Sequence, residues 1–207
     1  MNKDSKRWLA GMLFAVLLAP AAHAGVIFNL SEPQSRVWLK GDSTLHPFTI
    51  NATSQAFTLS FAKGTSDVAA ALAAQEPATM TLTIPVYGLK STESKSMDRN
   101  TQKALKAAKN PDITFTMTSY QAKPEDGGYK ISAQGQLSIA GVEKPETIEA
   151  DARVAKDGVA IDGQEPVIMS DFGVKPPVMM FGAIKVADRI VVRFHLELKP
   201  SDTGEKK

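Results

Sequence analysis

The sequence of 207 residues contains no cysteine. It can therefore form no disulfide bond and cannot carry a lipid attached to a cysteine, so the fold must rest on an apolar core. Aromatic residues make up only 7% of the chain and do not recur at the ends of strands. Barrels of the outer membrane carry girdles of aromatic side chains at both interfaces, and this scarcity argues against that class.

Patterns typical of metal and cofactor sites are missing as well. After residue 24 the histidines are His46 and His195, which are far apart and do not form a metal-ligand motif of recognised spacing. Asp171-Phe172-Gly173 matches the metal-binding triplet of kinases, but the chain has no glycine-rich phosphate loop. The sequence therefore predicts no metal and no cofactor, and it predicts a turn with a buried Phe172.

One short motif raises the alternative of an esterase. Gly41-Asp42-Ser43 resembles the nucleophile motif of GDS-type esterases, in which a serine needs a histidine base. In an extended stretch, however, His46 lies on the opposite face from Ser43, and His195 lies on the wet face of another strand. We therefore expect a strand with a glycine bend and no enzyme activity.

The first 24 residues have the pattern of a cleaved export signal. Lys3, Lys6 and Arg7 precede an apolar run from residue 8 to residue 19, and Ala22-His23-Ala24 is a typical cleavage site. Removing this leader takes three basic residues and one acidic residue from totals of 24 and 22, which leaves equal numbers of both signs. The sequence thus predicts a periplasmic protein with cleavage after Ala24 and no nucleic-acid partner.

Strict alternation of apolar and polar residues dominates the middle of the chain, from residue 128 to residue 163. It predicts three strands joined by two hairpins, with a four-residue loop at 142–145 and a two-residue turn at Asp157-Gly158. In this register Ile139 faces Ile148, and Val154 faces Ile161. The predicted dry face carries four small residues, which leave room inside a curved sheet, namely Ala133, Gly135, Ala150 and Ala152.

Shorter strands and two helices are predicted around this region. Strands are expected at 26–30, 57–61, around 80–84, from 113, and at 190–198, and a longer strand or a bent pair of strands is expected at 36–50. Ser66 or Asp67 is expected to cap a short Ala-rich helix, and Ser96 or Asp98 a second, basic helix with a thin apolar stripe. The loop after Ile161 ends in the apolar run Met179-Met180-Phe181, which either plugs the core or forms an adaptable rim for a flexible ligand. The tail at 199–207 is expected to be disordered.

An all-β domain with short helices can be a β-sandwich, a soluble closed barrel or an outer-membrane barrel. Five motifs, taken in order, resemble the YceI-like family of periplasmic, lipocalin-like proteins. They are Gly41 to Phe48, Asp112 to Phe115, Gly135 to Pro145, Asp171 to Val174 and the alternating last strand. Together they cover most of the chain after the leader.

The resemblance implies an extended antiparallel β-barrel at 25–198 with an apolar cavity, and a polyisoprenoid, isoprenoid quinone or other long-chain lipid as its ligand. It adds further cavity residues to the small ones above, namely His46, Phe48, Phe115, Phe172, Met179, Met180 and Phe181. Basic residues of the second helix, Arg99, Lys103 and Lys106, are the candidates for contact with a charged head group. Transient contact with a membrane donor or acceptor is expected, and the sequence leaves a homodimer open.

We therefore expect a non-catalytic carrier or store of a long-chain lipid. The alternative is an exported β-sandwich that binds protein or protects against stress without a lipid ligand. A cavity discriminates between the two, because a sandwich with a filled core has no space for a lipid.

Overall fold

The structure, a computed structural model, describes residues 26–201, so the predicted leader and residues 202–207 lie outside it. The regular structure of the described part is mainly β-strand, with two short α-helices. The helices are α1 (Val68–Ala73) and α2 (Lys95–Ala104), and the strands are β1 (Ile27–Leu30), β2 (Arg36–Gly41), β3 (Phe48–Ala52), β4 (Ala56–Phe61), β5 (Ala78–Pro85), β6 (Leu89–Ser91), β7 (Asp112–Glu125), β8 (Gly128–Ile139), β9 (Val142–Ala155), β10 (Gly158–Ile168), β11 (Val178–Met179), β12 (Ile184–Lys185) and β13 (Arg189–Pro200).

Eight antiparallel strands form a closed ring, in the order β1, β4, β5, β7, β8, β9, β10 and β13, with β13 pairing back to β1. Leu30 of β1 is opposite Leu198 of β13, which closes the barrel between the first and last strands. The predicted all-β barrel is confirmed. The β-sandwich alternative was wrong, because one sheet closes on itself instead of packing against a second sheet.

Strand β13 has two partners along the same edge. Its C-terminal part pairs with β1, whereas its N-terminal part pairs with β2, from Val191 opposite Lys40 to His195 opposite Arg36. From β2 the sheet continues through β3 to β6. The wall is therefore extended at the end of the barrel where β13 begins.

The predicted hairpin registers were wrong, although the predicted inward faces were right. Strands β8 and β9 are joined by Ala140 and Gly141, with φ angles of 53° and 85°, so Ile139 lies opposite Val142 and not Ile148. The next turn is Lys156-Asp157, which places Val159 opposite Val154. Both errors shift a strand by an even number of residues, and an even shift keeps every side chain on its own face.

Helix α1 closes one end of the barrel, called here the closed end. Asp67 caps it, because the carboxylate Oδ1 accepts a hydrogen bond from the backbone N–H of Ala70 at 3.0 Å. Gln75, which follows the C-cap residue Ala74, bonds twice to β7: its Nε2 donates to the carbonyl of Ala122 at 2.5 Å, and its Oε1 accepts from the N–H of Ala122 at 3.0 Å. The hydroxyls of Tyr120 and Tyr129 donate to the carbonyls of Glu76 and Ala69. These bonds fix the helix across the barrel end.

Helix α2 lies at the opposite, open end and is held mainly through β6. Ser94 caps it, and not Ser96 or Asp98 as predicted. The carboxylate of Asp98 instead accepts the N–H of Ser91 at 2.6 Å. No residue of α2 is fully buried. Within residues 26–201, neither helix has the length and apolar character needed to cross a bilayer.

Two further strand ends differ from the sequence prediction. Strand β10 continues to Ile168, whereas the sequence predicted a loop after Ile161. Strand β13 continues to Pro200, so Lys199 and Pro200 belong to the barrel and not to a disordered tail. Pairing between β9 and β10 nevertheless stops at Ala150 and Gly163, while both strands continue. The wall is therefore split beyond this pair.

Candidate functional site

The barrel contains an inner chamber of about 110 Å³ next to the closed end. Three of the four predicted small residues, Ala133, Ala150 and Ala152, line it as expected. The side chains of Val68 and Leu72 form its floor, because they are the face of α1 that points into the barrel. The rest of its wall is apolar apart from the Tyr120 hydroxyl, which is bonded to the Glu76 carbonyl. The chamber can therefore hold an apolar group and offers it no free charge.

A larger outer chamber of about 180 Å³ lies towards the open end. Four residues predicted from the sequence line it, namely Phe48, Phe115, Phe172 and Met179. The two chambers share four wall residues, which mark where they meet, namely Leu82, Phe115, Ile148 and Phe194. Helix α2 and residues 174–186 contribute to the outer wall at the open end, where Pro177 and Met179 are half-buried.

Four of the predicted cavity residues lie outside both walls. His46 is exposed in the loop between β2 and β3, where its Nδ1 lies 2.7 Å from the carbonyl oxygen of Pro47. Met180 and Phe181 are exposed at the tip of the turn between β11 and β12. Gly135 does face inward, but the ring of Phe115 covers it, and a Cβ at this position would lie 2.7 Å from the ring Cζ. The space left by this glycine is therefore filled.

The same pairing of glycine and phenylalanine occurs twice more. A Cβ at Gly41 would lie 2.3 Å from Cζ of Phe48, and a Cβ at Gly163 would lie 2.3 Å from Cζ of Phe194. Each of these phenylalanines lies directly opposite its glycine on the neighbouring strand. The rings can lie flat on the wall because glycine has no side chain there. The chambers are therefore shaped by glycine positions as well as by alanines.

Three polar residues of the outer chamber were missed by the sequence analysis, namely Asn100, Thr101 and Glu165. Asn100 and Thr101 lie on the inner face of α2 together with Met97, Ala104 and Leu105. The predicted stripe contained only apolar members of this face. Asn100 and Thr101 are three and four residues after Met97, so helical spacing places them on the same face and could have identified them. Glu165 is two residues from the inward Gly163 and Val167, so alternation would have found it if β10 had been extended through Pro166.

Glu165 is a carboxyl group in largely apolar surroundings next to the split in the wall. Burial, followed by repulsion from Glu146 and Glu149, raises the pKa of Glu165 to about 6. A protonated carboxyl can donate a hydrogen bond, whereas an ionised one can only accept. The outer chamber therefore offers a donor to an oxygen atom under mildly acidic conditions, and an amide and a hydroxyl on the α2 side.

The predicted head-group residues Arg99, Lys103 and Lys106 are exposed and do not line either chamber. Helix α2 turns its Asn100 face inward, which places Arg99 and Lys103 on the outside. Lys106 follows the helix and has a φ angle of 55°. The structure does not bring these three charges to the cavity wall, and their contact with a ligand stays a prediction.

The profile of the YceI-like domain matches residues 28–198 of this chain. The chain belongs to the YceI-like family. Comparison with curated protein sequences found no significant match.

Solved structures share the fold of this YceI-like chain. A Burkholderia cenocepacia protein, BcnA, is 20% identical with a TM-score of 0.64, and the match covers 81% of this chain and 98% of that one. A polyisoprenoid binding domain from Saccharophagus degradans, implicated in plant cell wall breakdown, is 10% identical with a TM-score of 0.60, covering 84% and 99%. The YceI protein of Campylobacter jejuni is 24% identical with a TM-score of 0.56, covering 73% and 84%. At these identities the likeness shows the fold alone.

In this YceI-like barrel the serine of the esterase-like motif is engaged in the backbone of its own loop. The hydroxyl of Ser43 donates to the carbonyl of His46 at 2.8 Å and accepts from the N–H groups of Leu45 and His46. The ring of His195 instead lies 2.7 Å from the carboxylate of Asp162, on another strand. Ser43 therefore serves as a turn residue in this arrangement, and no histidine ring within the described residues is bonded to it.

Proposed function

We propose that this YceI-like protein binds one long-chain isoprenoid lipid inside the barrel and acts as a carrier or store of that lipid in the periplasm. The observation that carries the proposal is the pair of adjoining apolar chambers, closed at one end by α1 and reaching the surface at the other. The polyisoprenoid binding domain from Saccharophagus degradans has the same fold, which supports this ligand class.

The shape and lining of the chambers favour an extended apolar chain. Each methylene group that leaves water contributes about 0.8 kcal/mol, so a long chain gains more than a small molecule. The alanines of the inner chamber leave space where larger side chains would fill the core. Two phenylalanines, Phe115 and Phe194, line both chambers and provide flat apolar surfaces where the chambers meet.

Mass spectrometry of an organic extract tests the proposal. Protein purified from its native periplasm without detergent should release a polyprenyl or quinone-like chain. An organic extract made in the same way from periplasm that lacks the protein should contain much less of this chain. Repeated extracts without any lipid would refute the carrier role.

The head group is a separate question with its own test. If the head is a phosphate near α2, the double variant Lys103→Glu/Lys106→Glu should weaken ligand binding, and salt should weaken binding to the wild type. A neutral quinone offers these lysines no charge, so neither the double substitution nor added salt should change its affinity. Lys123→Glu/Lys156→Glu reverses the same number of charges at the closed end and provides the matched control.

We propose that binding occurs without catalysis, because Ser43 has its hydrogen-bond partners in its own loop. Pure protein should hydrolyse short acyl esters no faster with Ser43 than with Ser43→Ala. Turnover that disappears in Ser43→Ala would contradict this.

The periplasmic location is proposed from the leader sequence. Fractionation of cells should place the protein in the periplasm, and N-terminal sequencing should start at Gly25. A chain that stays in the cytoplasm and retains residues 1–24 would contradict this location.

A further inference from the structure

Apolar side chains project from the protein at the open end of the barrel. Strands β11 and β12 form a hairpin, in which Val178 pairs with Lys185 and Met179 pairs with Ile184. Met179 lines the outer chamber, whereas Phe181 is fully exposed and Met180 is 71% exposed. Such large apolar side chains in water mark a contact surface when they are grouped.

The hairpin is held in place by its neighbours. The N–H of Thr44 donates to the carbonyl of Lys185 at 3.0 Å, and its hydroxyl donates to the carbonyl of Ala183 at 2.9 Å. These bonds place the exposed Leu45 beside the hairpin. Leu45, Val178, Met180 and Phe181 together are called here the rim patch.

The backbone at the tip is strained at two residues of the rim patch. Met180 and Phe181 have φ angles of 50° and 53°, in the left-handed region that side chains with a Cβ disfavour. Gly182 follows with a φ angle of 99°. Two bulky residues in succession in this region are rare, and strain of this kind is found at functional sites.

Two lysines, Lys175 and Lys185, lie in the segment that carries the rim patch, and three carboxylates lie next to it, namely Asp42, Asp171 and Asp188. Two of these carboxylates have partners of their own: Lys144 pairs with Asp171 at 3.8 Å, and Asp188 accepts hydrogen bonds from Ser170. On the other side, Nδ2 of Asn100 lies 3.3 Å from Sδ of Met179, so Arg99 of the α2 surface lies close to the same rim. Neither Lys175 nor Lys185 forms a salt bridge within the described residues, so an apolar tip next to two available cations matches an anionic lipid surface. The opening of the outer chamber beside Met179 also favours a lipid surface over a second copy.

We propose that the rim patch docks the open end of the barrel on an anionic phospholipid bilayer, with Met180 and Phe181 entering the boundary between head groups and acyl chains. Because Met179 lies between Val178 and Met180 and lines the outer chamber, docking turns the chamber opening towards the bilayer. A role for this docking in lipid transfer rests on the proposed function. The docking itself needs no lipid inside the barrel.

Sedimentation with vesicles tests the proposal on the full mature chain. The wild type should sediment with vesicles of phosphatidylcholine mixed with phosphatidylglycerol, and weakly with phosphatidylcholine alone. The double variant Met180→Ser/Phe181→Ser should lower the partition coefficient about tenfold or more, since burial of each side chain is lost. Lys175→Glu/Lys185→Glu should lower it on the anionic vesicles and reduce its dependence on salt.

Two controls alter the closed end in the same chemical way. Ile27→Thr removes an exposed apolar side chain there, and Lys123→Glu/Lys156→Glu reverses two charges. Both should sediment like the wild type. Far-UV circular dichroism of each variant checks that a loss of sedimentation does not come from unfolding.

Three results would overturn the docking proposal: no sedimentation of the wild type with either vesicle, unchanged sedimentation of Met180→Ser/Phe181→Ser, or an equal loss in the closed-end controls. Analytical ultracentrifugation supplies a fourth, because a dimer that Phe181→Ser dissociates would assign the patch to a second copy. A protein that yields no lipid on extraction yet docks on vesicles would refute the carrier role and leave docking intact, so the two proposals fail independently.

Discussion

The ring of Phe194 covers Gly163 on the neighbouring strand, and a Cβ at position 163 would lie 2.3 Å from the ring and 2.9 Å from the carbonyl oxygen of Glu149. Gly163 also forms the last pair between β9 and β10 before the split. A single methyl group at this point therefore meets both a core ring and the backbone.

Gly163→Ala should accordingly destabilise the barrel by about 1 to 3 kcal/mol, the usual range for overpacked cores. Urea unfolding followed by circular dichroism measures the free energy. With Phe194→Leu as the background, the ring is gone but the Glu149 carbonyl remains. Gly163→Ala should therefore cost less free energy of unfolding in this background than in the wild type, but the cost should not fall to zero. Full stability of Gly163→Ala would show that Phe194 moves without cost.

The inner chamber gives a prediction about ligand capacity. Ala152→Phe places a ring into this chamber, so lipid uptake should fall while the free energy of unfolding changes little. Ala155→Phe adds the same ring at an exposed position near the turn and should bind lipid like the wild type. Unfolding of Ala152→Phe, with the roughly 1 to 3 kcal/mol penalty of a filled core, would contradict the presence of usable space.

The alternation of apolar and polar residues predicts the fold and the inward-facing residues of this chain better than it predicts which residues pair between strands. Alternation identified the inward residues from Ala133 to Ala152, because the period of two survives any even shift. It did not find the turn at Ala140, since a left-handed alanine is unfavourable in isolation and is stabilised here by the barrel around it. The covering of Gly135 by Phe115 depends on strand neighbours distant in sequence, which a local pattern does not contain.

Glu165 makes stability depend on pH. Its pKa is raised from 4.5 to about 6, so folding favours the protonated form. This contribution is fully present below pH 4.5 and is lost as the pH rises through 6. Glu165→Gln should therefore become more stable relative to the wild type across this range, as measured by chemical unfolding at a series of pH values.

Neighbouring carboxylates provide the control for that titration. Glu146→Gln or Glu149→Gln removes one repelling charge and should move the midpoint of the stability change towards lower pH. A stability difference between Glu165→Gln and the wild type that stays constant with pH would show that the carboxyl is fully hydrated.

Gln75 is predicted to be important for closing the inner chamber. Gln75→Ala removes the two bonds to Ala122, so an N–H and a carbonyl of β7 lose their partner. We expect a loss of about 1 to 3 kcal/mol in the free energy of unfolding, together with faster hydrogen exchange in α1. Gln121→Ala, next to Ala122 but exposed, should be close to neutral. Equal effects of both substitutions would argue against a specific role for Gln75.

The split between β9 and β10 leaves two strand edges without partners in the wall, and unpaired edges invite strands from other molecules. Pro145 lies on one of these strands and Pro166 on the other, and proline cannot donate a backbone hydrogen bond to an incoming strand. Glu146 follows Pro145 directly, and Glu165 directly precedes Pro166, so each edge also carries a carboxyl group. The prolines and carboxylates of these two strands therefore protect the open part of the wall from edge-to-edge aggregation.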